Sequence, residues 1–202
     1  MINEKKSLGL FSLVSLKFFT VFPEYFISIS IIYVLTVVFL ISYSVYSLIL
    51  QKAVSEIMVL VLLMACYLIL NDDLLALNFL TFNNSIINDY FAFFTKLMVC
   101  ATSAAYFLFI ADSLKYQRLT SFEYLLVLMF AVLGLMLLCS SNDLLTAYLA
   151  IELSSLSFYI LASFKKSSNY SVEGGIIYFV TGAVSSAFFL FGSSYIYGAT
   201  GT

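Results

Sequence analysis

The chain is poor in the residues from which most catalytic and metal sites are built. Its 202 residues include no histidine, no tryptophan, one proline and three cysteines. Cys66, Cys100 and Cys139 are far apart, without CxxC spacing, so the sequence offers no cysteine- or histidine-based metal or catalytic set. Each cysteine lies inside an apolar run, where we expect it to pack as a small hydrophobic residue.

Charge is scarce as well. Charged residues make up 10% of the chain and the net charge is −2, whereas soluble domains contain about 25% charged residues. No basic stripe is present, which excludes nucleic-acid binding. Hydrophobic residues reach 63% and mean hydropathy is +1.07, more apolar surface than a core of this size could enclose. The composition therefore predicts an all-α, polytopic transmembrane helix bundle.

Six apolar runs are long enough to cross a bilayer, which takes roughly 20 residues with a range of about 17–25. Residues 24–202 are predicted to form the bundle, and residues 1–23 an amino-terminal arm or interfacial helix. Pro23 and Glu24 are typical of a helix start. The link 74–89 is predicted to be extended or partly helical. The predicted spans are 25–50, 53–70, 90–111, 122–139, 144–164 and 171–197.

Basic residues follow the odd-numbered spans. The links after spans two, four and six contain no lysine or arginine, although the amino-terminal arm carries three lysines. The positive-inside rule then predicts that the odd-numbered links face the cytoplasm or matrix and that both termini lie on the opposite side. The basic residues in the odd-numbered links are Lys52, Lys115, Arg118, Lys165 and Lys166.

Glu152 lies near the middle of the fifth predicted span. A carboxylate at bilayer depth is costly, so it is by default a candidate functional residue. Tyr148, Ser155 and Tyr159 share its helix face at i−4, i+3 and i+7, giving a polar lane. We interpret Glu152 as a protonatable relay or ion site. The alternative is a carboxyl group that only ties helices together through hydrogen bonds.

Lys96 is a possible second charge, inside the third predicted span. It follows the predicted helix start by about six residues, so we expect its stem to snorkel to the interface. An internal charge pair with an undefined partner is the alternative.

Small residues recur along the sixth predicted span, at Gly175, Gly182 and Ser186. Such residues let helix backbones approach closely, and a kink beside a water path is the alternative. Asn142 and Asp143 are predicted to cap the fifth helix with their side chains.

The run NDLLTAYLAIELSSLSFYILASFKK (142–166), followed by SVEGGIIYFVTGAVSSAFFLFGSSYIYGATGT (171–202), carries a family resemblance. It resembles subunit 2 of mitochondrial NADH dehydrogenase and its bacterial counterpart, subunit N of NADH-quinone oxidoreductase. Both are antiporter-like subunits of respiratory complex I. The resemblance is densest over 120–202 and weaker over 24–119, and it implies the first half of an antiporter-like fold.

The resemblance implies a proton-translocating membrane-arm subunit of H⁺-translocating NADH:ubiquinone reductase, with no redox site in this chain. Glu152 stands where the family has a glutamate that pairs with a lysine on the seventh helix, and this pair is thought to couple quinone chemistry to proton movement. NADH, FMN, iron–sulfur clusters and ubiquinone would belong to the rest of the complex. The implied partners are other membrane-arm subunits and lipids, in the mitochondrial inner membrane rather than a bacterial plasma membrane.

Two departures from the family pattern bear on function. Relatives often read GLKYF where this chain reads GIIYF, so Ile177 replaces a lysine. The chain also stops before the seventh helix, from which we expect a second polypeptide with the missing carboxy-terminal helices. The alternative to such a split subunit is a truncated relic that does not pump protons. Two other readings stay open: a subunit of a multi-chain cation/proton antiporter, and a structural membrane subunit.

Overall fold

The computed structural model describes residues 21–41, 47–71, 80–82, 84–116 and 122–200. Within these ranges it contains six α-helices and one short antiparallel hairpin. The helices are α1 (Phe22–Ile41), α2 (Ser47–Asn71), α3 (Tyr90–Tyr116), α4 (Glu123–Cys139), α5 (Leu144–Ala162) and α6 (Asn169–Thr200), and the strands are β1 (Leu80–Thr81) and β2 (Ile86–Ile87). Most of the predicted amino-terminal arm lies outside the described residues.

Long apolar runs account for the helices, since a backbone in hydrocarbon must satisfy its hydrogen bonds internally. Four described helices are long and apolar enough to span a membrane: Gln51–Asn71, Tyr90–Ile110, Leu144–Ala162 and Asn169–Thr200. The described parts of α1 and α4 add two shorter apolar segments, Phe22–Val38 and Glu123–Cys139. These segments have the length of about 17 residues at the lower limit for a spanning helix.

The boundary between the first two helices differs from the sequence prediction. The described part of α1 ends at Ile41 and α2 begins at Ser47, inside the predicted first span 25–50. The whole run from Tyr25 to Leu50 is uncharged, so composition carries no signal for a helix end within it.

The apolar core lies among α1, α2, α3 and α4. Its largest fully buried side chains include Ile27 and Ile31 on α1, Met58 and Leu62 on α2, Phe107 on α3, and Leu125 and Met129 on α4. α5 packs along α4, and α6 packs along α5. Within α6 the buried residues are Gly175 and Ser193, so this helix lies at the outside of the described bundle.

The hairpin lies over the turn between α4 and α5. Leu80 pairs with Ile87 and Thr81 with Ile86. Phe82 and Asn84 take positive φ angles of 50° and 70° in the tight turn between the strands. Ile87 then donates its backbone N–H to Ser140 O at 2.9 Å, and Asn142 donates its own to Ser85 O at 2.9 Å. The described part of the predicted link 74–89 is therefore fixed to the end of α4.

Candidate functional site

Glu152 is half-buried on α5, on the side that faces α6. Two aromatic contacts define that side. The Tyr148 ring stacks on Phe189 with centroids 6.1 Å apart, and the Tyr159 ring meets Tyr178 edge-on at 4.7 Å. Because the two helices run antiparallel, Glu152 lies opposite the stretch of α6 between these two contacts.

The hydroxyl of Ser155 is engaged locally. Its Oγ donates to the backbone carbonyl of Glu152 at 3.1 Å, the usual back-bond of a helical serine. Within the described part of the chain, no hydrogen bond or ion pair reaches the Glu152 carboxylate. The structure thus places Tyr148, Glu152 and Tyr159 on the predicted face, and it leaves the carboxylate without a partner from α1 to α6.

Gly175 and Gly182 lie where α6 approaches α5 most closely. A Cβ at residue 182 would stand 1.8 Å from Tyr159 Oη, and one at residue 175 would stand 2.5 Å from Ser163 Cβ. Ser186 is half-buried and donates to Ala183 O at 3.1 Å within its own helix. At Gly175 the absence of a side chain lets α6 approach the backbone of Ser163, and at Gly182 it makes room for the Tyr159 hydroxyl.

Gly134 makes the corresponding close contact between α4 and α5, and sequence reasoning missed it. A Cβ there would stand 2.8 Å from Ser154 N and 3.1 Å from Ala150 O. Ala131 is the one other small residue in α4, so the position gave no periodic signal of small residues.

Lys96 corrects the sequence prediction, because it does not snorkel to an interface. Its Nζ lies 2.5 Å from Oε1 of Glu24, and each of the two side chains is 3% exposed. Glu24 occupies the first turn of α1, and the sequence predicts no more for it than a place at a helix start. Both residues lie near helix amino termini at the same end of the bundle, so a lysine in the second turn of α3 meets the glutamate before its stem could reach water.

Asn142 and Asp143 also differ from the prediction that their side chains cap α5. Asp143 is the N-cap residue by backbone conformation, with φ −115° and ψ 144°, but its side chain makes no capping hydrogen bond. Its Oδ1 instead accepts a hydrogen bond from the Tyr197 hydroxyl of α6. The Asn142 amide donates to Asn84 O at 2.8 Å. Both side chains are drawn to tertiary partners that the sequence did not identify.

The described residues contain no cluster of histidine, cysteine, aspartate and glutamate that could hold a metal ion. The three cysteines are free thiols, and Cys100 Sγ lies 3.6 Å from Met136 Sδ in the core. Ile177, which stands where the family often has lysine, is 57% exposed on α6.

A family described as NADH:quinone oxidoreductase/Mrp antiporter, transmembrane, matches residues 141–202. The chain is 38% identical over 144 residues to NADH-quinone oxidoreductase subunit N of Methylobacterium nodulans, covering 71% of this chain and 30% of the relative. It is 39% identical over 127 residues to NADH-ubiquinone oxidoreductase chain 2 of Marchantia polymorpha, covering 63% of this chain and 26% of the relative. The chain thus spans less than a third of these relatives' length.

A chain of respiratory complex I from Thermus thermophilus has the same fold, with a TM-score of 0.68 and 24% identity. The match covers 89% of the present chain and 37% of the Thermus chain. These matches confirm the resemblance given by residues 142–202 and the predicted fold class. The chain is therefore homologous to part of subunit N and of chain 2, and it has the antiporter-like transmembrane fold.

Proposed function

We propose that this chain is the amino-terminal part of a proton-translocating, antiporter-like subunit in the membrane arm of complex I, and that Glu152 is a proton relay residue. The named relatives support the assignment to complex I. The observation that carries the relay is the position of Glu152: a half-buried carboxylate on an apolar helix, between two aromatic contacts and without a partner in the described residues.

A carboxylate in this position can change its protonation state when a cation approaches or leaves. The proposed cation is a lysine on a seventh helix, the partner that the resemblance to the family implies. When the lysine is close, the carboxylate is favoured; when it withdraws, the protonated acid is favoured. Tyr148 and Tyr159 would bound the space through which water could reach the carboxyl group.

The exposed face of α6 supports a position for the remaining helices. Tyr170, Phe188 and Tyr195 are 88%, 71% and 66% exposed in the described chain. Large aromatic side chains in such numbers mark a surface that packs against another helix or lipid. We place the further helices of the subunit against this face. Intact-mass measurement of the purified subunits decides whether they arrive on a second polypeptide, as the sequence led us to expect, or on the same one.

Ile177 limits the relay to fewer charges than the family pattern. It stands on α6, in the segment next to Tyr178, which touches Tyr159. Without a lysine there, the path in this chain would rest on Glu152 alone. Ile177→Lys restores the lysine that relatives often have at this position, and its effect on pumping by the assembled complex would report how near α6 lies to the proton path.

The test of the relay is Glu152→Gln in the intact complex, reconstituted into liposomes. We expect normal assembly, with quinone reduction that is impaired or poorly coupled to proton pumping. Glu173→Gln, an exposed carboxyl in the second turn of α6, is the matched control and should pump normally. Full pumping efficiency with Glu152→Gln would show that Glu152 is not a proton relay. It would favour the alternative that this carboxyl group only ties helices together.

A second candidate is a subunit of a multi-chain cation/proton antiporter, because the matching family also covers Mrp antiporters. Copurification with NADH dehydrogenase subunits, together with absence of sodium-dependent proton transport, separates the first candidate from the second. Both mitochondrial and bacterial relatives match, so the proposed mitochondrial inner membrane is tested by fractionating the source cells and locating the chain with an antibody.

A further inference from the structure

Three helices converge on one carboxylate oxygen at the hairpin end of the bundle. Oε1 of Glu24 on α1 lies 2.5 Å from Lys96 Nζ on α3. The same oxygen lies 3.5 Å from the Oγ of Ser140, which ends α4. Ser140 is fully buried, so this side of the carboxylate is closed to water.

The other oxygen of the same carboxylate has no partner. Oε2 of Glu24 is buried and accepts no hydrogen bond from any described residue. An unsatisfied buried carboxylate oxygen is costly, and ordered water is the usual way in which such an oxygen is satisfied. The position therefore points to a ligand that donates hydrogen bonds.

Glu24 also lines a cavity of about 330 Å³ between α1, α4 and the hairpin. Ser28 and Ser85 line it beside Leu133 and Leu137. Phe82, 55% exposed, stands in the hairpin at its edge, so the cavity reaches the surface of the bundle. It has room for several water molecules, each of which occupies about 30 Å³ in the liquid.

The charges around this carboxylate are few. Among the described residues, the charged group facing Glu24 is the Lys96 ammonium. The Cys100 thiol on α3 interacts electrostatically with both members of the pair, the Cys66 thiol on α2 interacts with Cys100, and Tyr25 lines the cavity. The described residues of the hairpin, and the part of α4 that lines the cavity, carry no charge.

We propose that Glu24 and Lys96 form a second proton-exchange site, which is reached by water through this cavity from the hairpin face. When water enters beside the buried Oε2, a hydronium ion from the cavity gives its proton to this oxygen, a new O–H bond forms there, and a water molecule remains. Oε1 stays bonded to Lys96, which keeps its own protons as an ammonium. The reverse step returns the proton to water on the same face.

This site goes beyond the function proposed above and does not depend on it. Glu24 and Lys96 lie on α1 and α3, whereas Glu152 lies on α5, and the exchange needs neither quinone chemistry nor a seventh-helix lysine. Water access and protonation are measured at Glu24 itself. A result that excludes the relay at Glu152 therefore does not exclude the site at Glu24.

Water access is tested with cysteines placed in the intact complex in sealed membrane vesicles. Ser28→Cys puts a thiol in the cavity and leaves the ion pair in place. Ile29→Cys, the next residue along α1 and 64% exposed on the outer surface of the bundle, is the matched control. The probe is a small, charged, membrane-impermeant methanethiosulfonate, with the unsubstituted complex giving the background of the native cysteines. We expect Ser28→Cys to react about tenfold faster or more, from the hairpin face, because the thiolate that reacts forms only in water.

Protonation is tested by infrared difference spectra of the complex, recorded as the pH is lowered in H₂O and in D₂O. We expect a carboxylic-acid band that Glu24→Gln removes and Glu173→Gln retains. Lys96→Gln should change the frequency of that band, because it removes the ammonium group that contacts Oε1 of Glu24. Equal labelling of Ser28→Cys and Ile29→Cys would overturn the proposal even if the Glu24 variant failed to assemble. So would a carboxyl spectrum that Glu24→Gln leaves unchanged.

Discussion

The hydroxyl oxygen of Tyr159 on α5 lies against the backbone of Gly182 on α6, where a Cβ would stand 1.8 Å from it. The same ring touches Phe179 edge-on, with centroids 5.7 Å apart. One tyrosine therefore sets how closely the two helices approach beside Glu152. A side chain at residue 182 would force either the ring or the helix to move.

Gly182→Ala is expected to destabilise the protein by about 1–3 kcal/mol, the usual range for an extra methyl group in a packed contact. Gly174→Ala is the matched control on the same helix, because no atom lies within 4 Å of a Cβ there. Thermal unfolding of the purified protein in detergent would measure the difference. Equal unfolding midpoints for the two variants would mean that the Tyr159 ring rotates away without loss of stability.

Gly134→Ala tests the contact between α4 and α5. The nearest atom to a Cβ at residue 134 is the backbone nitrogen of Ser154, at 2.8 Å, and a backbone atom cannot rotate away as a ring can. We expect this variant to lower the free energy of unfolding by about 1–3 kcal/mol or more. Gly192→Ala, which meets nothing within 4 Å, is its control. An unfolding midpoint for Gly134→Ala equal to that control would contradict the close approach.

The Glu24–Lys96 pair is suited to a double-mutant cycle. Removing one charge leaves the other buried and unpaired, so Glu24→Leu or Lys96→Met alone should each cost about 3–5 kcal/mol. The double variant replaces both charges by apolar side chains and should recover most of that loss. Chemical denaturation in detergent micelles would give the coupling energy. Additive losses in the two single variants would show that the side chains do not interact.

Tyr197→Phe removes the hydroxyl that donates to Asp143 and leaves the ring in place. We expect faster hydrogen exchange at the start of α5 and the end of α6, because this hydrogen bond ties the two ends together. Tyr195→Phe is the control, since the Tyr195 hydroxyl makes no hydrogen bond within the described residues. The readout is hydrogen–deuterium exchange by mass spectrometry. Unchanged exchange rates at the start of α5 and the end of α6 would contradict a stabilising hydrogen bond between Tyr197 and Asp143.

The sequence predicted the features that depend on one helix at a time. Uninterrupted apolar runs located α5 and α6 to within a few residues, and helical spacing placed Tyr148, Glu152 and Tyr159 on one face. The resemblance then named the family. Each of these signals lies within a single stretch of chain.

The features that were missed depend on contacts between helices far apart in sequence. Lys96 finds Glu24 because the starts of α1 and α3 lie at the same end of the bundle, and no local pattern encodes that pairing. Gly134 looks like any small residue until α5 is packed beside it. The side chain of Asp143 is predicted to bond its own helix, but it accepts a hydrogen bond from Tyr197 on α6.

The ion pair at the hairpin end also bears on how the chain is made. Glu24 leaves the ribosome well before Lys96, with the whole of α2 between them. Until α3 follows, the carboxylate in the first turn of α1 lacks the Lys96 ammonium with which it pairs in the folded chain. α1 thus gains the partner of its buried carboxylate only after α3 has been synthesised, so the folding of α1 into the bundle is completed after that of α2 has begun.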